Sequence, residues 1–198
     1  NLLITTIFAA LILWVIGLAV PITATYIIAA VIVAPALTQL GVPEYAAHMF
    51  IFYYALLSEV SPPTALSPFA AAAITGGDPF KTTMMAWKYA ITAFLLPFIF
   101  VLLPSGRAML LHWEGIGAAQ GIWTIIAAFI GIGMLASGCS GWFMKRSSAL
   151  ERFITIVGAL AFVYPSRIGD VLGFICLIVV VVMQKARKGE RVEAVPGG

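Results

Sequence analysis

Apolar residues run along this chain in long blocks, without the period-2 or period-3.6 alternation of a soluble domain, and short polar breaks separate the blocks. The blocks predict helices, the first over residues 2–16. That block is shorter than the ~20 residues a membrane span needs. It ends in Gly17-Leu18-Ala19-Val20-Pro21, where glycine frees the backbone for a turn and proline suits the first turn of a new helix. A single helix over 2–40 would be nearly twice a bilayer thickness at about 1.5 Å per residue. A re-entrant hairpin over 2–40, with its tip near Gly17 to Pro21, is the more economical expectation.

After the turn Gly41-Val42-Pro43-Glu44, a helix is expected from Tyr45 to Leu57, with His48 near the membrane interface as a hydrogen-bonded group. Then comes the most unusual stretch of the chain, Ser58-Glu59-Val60-Ser61-Pro62-Pro63-Thr64-Ala65-Leu66-Ser67-Pro68. It is polar and broken by prolines inside an apolar run, so no helix crosses it. Irregular backbone at membrane depth survives only against protein or a water-filled cavity. A half-helix Phe69 to Thr75 follows and is closed by Gly76-Gly77-Asp78-Pro79, giving a broken helix over 45–76. Two half-helices around a polar break is the pattern of discontinuous helices in secondary transporters.

Downstream the pattern predicts a spanning helix over 82–103, with Lys81 and Lys88 at one end and a kink at Pro97. A polar loop over 105–120 carries Arg107, His112 and Glu114. The next span runs from Gly121 to Met144, with Gly131, Gly133, Gly138 and Gly141 expected at close helix contacts. A basic turn over 145–152 leads to marginal spans at 149–164 and 168–184, joined by Tyr164 to Arg167, and Arg167 and Asp170 are expected to pair at the interface. The tail from Lys185 is polar, basic and expected to be disordered. The chain thus divides into 1–104, a C-terminal transmembrane extension 105–184 and a tail 185–198.

Composition fixes the solvent. With 62% hydrophobic and 10% charged residues and a mean hydropathy of +1.07, this is an all-α polytopic membrane protein in a lipid bilayer, with no second, soluble domain in view. The net charge of +3 comes from basic residues beside apolar segments, which speaks to topology and not to nucleic acid. Basic clusters at 81–88, 145–152 and 185–191 place those ends and the C-terminal tail in the cytoplasm. The loop 105–120 is then outside, and the first hairpin opens outward with its tip toward the midplane, where it meets the break. Cys139 and Cys176 show no metal or disulfide spacing and are expected as small packing residues. The start at Asn1, directly on an apolar helix, reads as part of a longer polytopic protein.

The meeting point brings hydroxyls of Thr23, Ser58, Ser61, Thr64 and Ser67 near carbonyls freed at Gly17 and at Pro62-Pro63. Hard cations bind oxygen, and a small monovalent ion takes about five or six such ligands without much charge, so sodium suits the set. The amides opening the half-helix after Pro68 favour an anion in the same cavity. Glu59 is the acidic residue deep within an apolar run, where an unpaired carboxylate costs several kcal/mol. It neutralises a cation, carries a proton, accepts a serine hydrogen bond, or meets another part of the protein; the sequence leaves these open.

Several segments resemble the large membrane subunit of tripartite ATP-independent periplasmic (TRAP) transporters: Gly17 to Tyr26, Ala47 to Tyr54, Ser61-Pro62-Pro63-Thr64-Ala65 and Ala70 to Pro79. The nearest likeness is to the fused-permease branch that works with TAXI-type binding proteins, and it covers roughly residues 1–104. The resemblance implies an ion-transporter-superfamily elevator fold, with this chain as the second inverted repeat. It implies a sodium-driven permease of the bacterial or archaeal cytoplasmic (inner) membrane, importing organic acids handed over by an extracytoplasmic solute-binding protein. The remaining N-terminal part of the same permease would supply the first repeat. The hairpin-tip glycine of the family falls on Gly17, and the broken-helix glycine and threonine fall on Ser58 and Ser61, with Thr64 three beyond. Pro21, Thr23, Pro62, Pro63, Ser67 and Glu59 would line the cavity, and Glu59 stands where a small apolar residue is commoner. The resemblance implies no enzymatic activity and no cofactor beyond the coupling sodium ion. Competing readings are a structural or assembly subunit, a proton-coupled permease using Glu59, and an intramembrane serine hydrolase, against which His48 and His112 lie away from any nucleophile pattern.

Overall fold

The computed structural model describes residues 1–163 and 167–186, and among these no strand forms beyond one bridge between Trp142 and Arg146. Helix α1 (Leu2–Gly17) starts where the Asn1 side chain accepts the Leu3 amide at 3.1 Å. It closes as the Ala19 and Val20 amides fold back onto the Ile16 carbonyl. Proline at 21 then forces a new start, α2 (Ile22–Thr38). The two helices are 16 and 17 residues long, about 25 Å each at the usual rise.

Both rest on α3 (Glu44–Ser58). The seam is built from Leu13 of α1, Ala29, Val33 and Leu37 of α2, and Ala46, Ala47, Phe50 and Ile51 of α3, all buried. Alanine at so many of these positions lets the helix backbones approach closely, as membrane helices do without a hydrophobic drive between them. Bulky side chains on the far faces, such as Phe8, Val31 and Ile32, stay exposed, as suits a lipid-facing surface.

Helix α4 (Leu66–Thr75) and α5 (Pro79–Ala90) form a second hairpin. Gly76 caps α4 at φ +71°, a left-handed conformation that glycine adopts freely. Asp78 caps α5, its Oδ1 accepting the Lys81 amide at 2.8 Å, with Pro79 at the first helical position.

The expected single helix over 82–103 is corrected here. Helix α5 ends at Ala90, residues 91–95 form turns, and α6 (Leu96–Leu102) begins afresh. Pro97 sits in the first turn of α6 and has no N–H to give the Ala93 carbonyl, so the turn before it unwinds where a kink was expected. Two side chains serve the unwound backbone: Thr92 Oγ1 donates to the Tyr89 carbonyl at 3.3 Å, and Tyr54 Oη of α3 donates to the Phe94 carbonyl at 2.9 Å.

The predicted polar loop is partly structured, with a 3-10 turn over Ser105–Leu110 that buries Ser105, Gly106 and Ala108. Beyond it α7 (Ala118–Ser140), α8 (Ala149–Val163) and α9 (Arg167–Ala186) pack as a bundle around Ala127, Met134, Leu135, Ala159 and Phe162. Of the four glycines expected at close contacts, two serve that purpose. A β-carbon on Gly131 would lie 2.9 Å from Phe162, and one on Gly138 would lie 2.7 Å from Ile156. Gly133 faces open space, and Gly141 caps α7 at φ +77°. Helix α7 and the stretch Ile168–Ala186 are long and apolar enough to cross a membrane.

The turn between α7 and α8 is tied down by Gln184 of α9, which is fully buried. Its Oε1 accepts the Met144 and Lys145 amides at 3.0 and 3.2 Å, and its Nε2 donates to Ser147 Oγ at 3.1 Å. Arg152 adds a second tie, donating to the Gly138 and Cys139 carbonyls at the end of α7. Both cysteines are free thiols. Asp170 accepts the Trp123 indole N–H at 2.6 Å; its expected pairing with the Arg167 side chain lies outside the described residues, as do residues 164–166 and the tail beyond Ala186.

Candidate functional site

The hairpin turn and the helix break meet at Gly17 and Ser58. A β-carbon built on Gly17 would fall inside the contact distance of both Oγ and Cβ of Ser58, and 3.5 Å from Cγ2 of Thr25. Glycine is therefore required here by close approach. The sequence reading gave another reason, freedom to turn, and that is corrected: Gly17 is the last residue of α1 and does not adopt a left-handed conformation. The reversal is made by Leu18 to Pro21.

Ser58 and Ser61 are buried, 1% and 0% exposed. Their hydroxyls donate to the carbonyls of the preceding turn, Ser58 Oγ to Ala55 at 2.6 Å and Ser61 Oγ to Leu57 at 2.9 Å. A hydroxyl that spends its proton this way keeps its oxygen lone pairs for another partner. Several carbonyls also stay open. Among the described residues no backbone N–H donates to those of Gly17, Leu18 and Ala19 at the hairpin turn, or to those of Glu59, Val60, Pro62, Pro63 and Thr64 at the break. Ala19 and Pro63 are exposed and the other six residues are half-buried, so these carbonyls are free to take a further partner.

The remaining candidates divide. Thr64, Pro62 and Glu59 are half-buried, while Pro21, Thr23, Pro63 and Ser67 are exposed. The Glu59 carboxylate accepts from Ser67 Oγ at 3.3 Å, the local hydrogen bond that was one of its open readings. Among the described residues no hydrogen bond joins Glu59, Thr64 or Ser67 to Gly17 or Ser58.

Thr23 faces outward, and it is a neighbouring threonine that the structure encloses. Thr25 is fully buried beside the Gly17–Ser58 contact, its Oγ1 donating to the Val20 carbonyl at 3.1 Å across the hairpin turn. Two threonines two positions apart point to opposite sides of a helix. The signal that could have chosen between them is the spacing Thr25, Ala29, Val33, Leu37, a stripe at every fourth position that becomes the buried face of α2.

Toward the other end of the hairpin, His48 Nδ1 lies 2.9 Å from Tyr26 Oη, and His48 Nε2 lies 3.9 Å from the Glu44 carboxylate. This ties α2 to α3 as an ordinary hydrogen-bonded histidine would.

Fold and contact together define a polytopic helical membrane protein in which a hairpin turn is packed against the break of a discontinuous helix. A family model described as "Tripartite ATP-independent periplasmic transporter, DctM component" matches residues 1–105. Comparison with curated proteins and with solved structures gave no match. The family match takes in more than half of the 198 residues, and the chain belongs to the TRAP transporter large membrane component family. That family is one of secondary transporter permeases working with a periplasmic binding protein, so a transporter is what the helices build. The match ends just past α6, at the start of the 3-10 turn, and α7 to α9 lie beyond it.

Proposed function

We propose that the Gly17–Pro21 turn and the Ser58–Pro68 break form part of a sodium site, in a permease that uses the sodium gradient to import an organic acid. The observation carrying this reading is the packing of Gly17 directly on the buried Ser58, which joins the hairpin turn, with its open carbonyls, to the start of the helix break. The ligands would be the Gly17 carbonyl, the Ser58 carbonyl and the hydroxyls of Ser58 and Ser61, with Thr64 at the edge. These oxygens are neutral, which favours a monovalent cation, and they are fewer than a complete shell needs. An inverted repeat elsewhere in the permease would supply the rest and the surface against which an elevator-type movement occurs. The open first amides of α4, beyond Ala65, would face the anion. The basic turns at 81–88 and 145–152 would face the cytoplasm, in a cytoplasmic membrane, and a TAXI-type binding protein would deliver the solute from outside.

The test is uptake by the permease in proteoliposomes under an imposed sodium gradient. Ser61→Ala and Gly17→Leu are each expected to lower sodium-driven uptake at least tenfold, while protein yield and monodispersity are retained in Ser61→Ala. Unchanged uptake in both variants would remove the assignment. Glu59→Gln separates the coupling ions: retained sodium dependence supports the neutral site, and loss of a proton dependence would place the coupling on Glu59 instead.

A further inference from the structure

The end of α7 gathers positive charge that the candidate cation site does not use. Helix α7 is 23 residues long, about 34 Å at the usual rise, which matches a hydrocarbon core of ~30 Å. Its last residues therefore emerge at headgroup level. Basic side chains approach this end from two other helices: the charges of Lys88 on α5 and Arg152 on α8 both act on Cys139. The Arg152 guanidinium also lies against Gly141, 3.6 Å from where a β-carbon would stand. The Ser147 amide donates to the Gly141 carbonyl at 2.9 Å, so the turn folds back and brings Lys145 and Arg146 to the same end.

Among the described residues little negative charge opposes them. Glu151, the acidic residue of this turn, is buried and held inward by Ser148. Its Oε2 accepts the Ser148 amide at 2.8 Å, and its own amide donates to Ser148 Oγ at 3.3 Å. The C-terminal ends of α5 and α7 add about half a negative charge each. Lys88, Lys145, Arg146 and Arg152 together exceed this. The side chains of Lys88 and Arg146 are exposed and, among the described residues, make no hydrogen bond or ion pair. Arg152 donates from Nε and Nη2 to the Gly138 and Cys139 carbonyls, which fixes its planar fork. Tyr89 and Phe153, next in the chain to Lys88 and Arg152, are exposed, as are Trp142 and Met144 in the turn. Aromatic side chains of this kind settle at the membrane interface. The surface thus asks for an occupant with an anionic head and an apolar tail.

We propose that the end of α7 binds an anionic phospholipid, its phosphate held between Lys88 and Arg152 with Arg146 beside it. The acyl chains would run along the apolar helix surface below. Basic pockets between membrane helices recognise anionic headgroups by charge, and arginine adds a fork that fits phosphate oxygens. A zwitterionic headgroup brings an ammonium toward the same cations and is disfavoured. Lys88 lies in the part of the chain that the family model matches, and Arg152 in the helices beyond it. The lipid would therefore bridge these two parts, where α5 meets α7 along only a short stretch.

The experiment measures, by native mass spectrometry, binding of dioleoylphosphatidylglycerol and of dioleoylphosphatidylcholine to the delipidated permease in detergent. Saturable binding of phosphatidylglycerol is expected, with a rise in melting temperature that phosphatidylcholine does not give. A basic residue near the membrane surface is worth about fivefold in affinity for anionic lipid. Lys88→Gln and Arg146→Gln should each weaken binding by that factor, and the double variant by about twentyfold. Both side chains are exposed, and the melting temperature without lipid shows that the variants are folded. Lys81→Gln removes the same charge about two turns earlier on α5 and should leave the affinity unchanged. Equal binding of the two lipids overturns the proposal, as does unchanged affinity in the folded double variant. An equal loss in Lys81→Gln also overturns it, by showing diffuse attraction to a basic surface. Competition by glycerol 3-phosphate at matching concentration would give the position to a soluble phosphate, and a cross-link from position 88 to another segment of the permease would give it to protein; either result sinks the lipid site.

Discussion

Gly17 and Ser58 show how little room separates the hairpin from the broken helix. Because a β-carbon on Gly17 would overlap the Ser58 side chain, Gly17→Ala is expected to destabilise the fold by about 1–3 kcal/mol, the usual cost of overpacking. Ser58→Gly removes the obstructing atoms, so the double variant Gly17→Ala with Ser58→Gly should recover most of the lost thermal stability. Additive losses in that cycle, measured as melting temperatures, would show that the two residues do not touch. The sequence named both residues and their meeting but could not give the reason for the glycine. Steric need of this kind belongs to a pair distant in sequence, and nothing in the turn itself encodes it. Thr23 and Thr25 make the same point in reverse: their hydroxyls are chemically alike, and only the rotation of α2 on α3 decides that Thr25 is buried.

At the scale of elements, the unwound turn at 91–95 depends on a donor from another helix. Tyr54→Phe keeps the ring contacts with Phe50, Phe94 and Phe98 but withdraws the bond to the Phe94 carbonyl. The expected outcome is a loss of about 1 kcal/mol and faster amide exchange confined to residues 91–98, read by mass spectrometry. Pro97 was visible in the sequence as a disturbance, yet whether proline bends a helix or unwinds it depends on who takes the freed carbonyls. Here Tyr54 takes one, and that partner lies 40 positions away in sequence. A similar dependence holds at the α7–α8 turn. Gln184→Leu would remove the acceptor that the Met144 and Lys145 amides share, at about 1 kcal/mol for each hydrogen bond lost, so exchange there should rise while α1 to α3 are unaffected.

Over the whole molecule, two packed cores are evident, one uniting α1, α2, α3 and α6 and one uniting α7, α8 and α9. The family match stops between them. If the cation site is confined to the first core, sodium should raise the melting temperature of the permease relative to potassium, since a ligand of the native state alone stabilises it by mass action. The rise should vanish in Ser61→Ala and persist in Gln184→Leu. An equal sodium response in all three proteins would mean that the stabilising ion binds elsewhere.

By itself the sequence determined the solvent, the all-helical class, the hairpin over 2–40 and the broken helix, because composition, proline and the length of apolar blocks act locally and the bilayer enforces them. It also marked Ser58 and Ser61 as special, since hydroxyls beside a proline break stand out against an apolar run. Tertiary structure alone decided why Gly17 must be glycine, that Thr25 and not Thr23 is enclosed, that the helix after Lys81 is two helices, and that Lys88 and Arg152 converge on the end of α7. Each of these turns on a distance between residues far apart in the chain. In a membrane protein the apolar pattern does not show which face of a helix meets protein and which meets lipid, because both are hydrophobic.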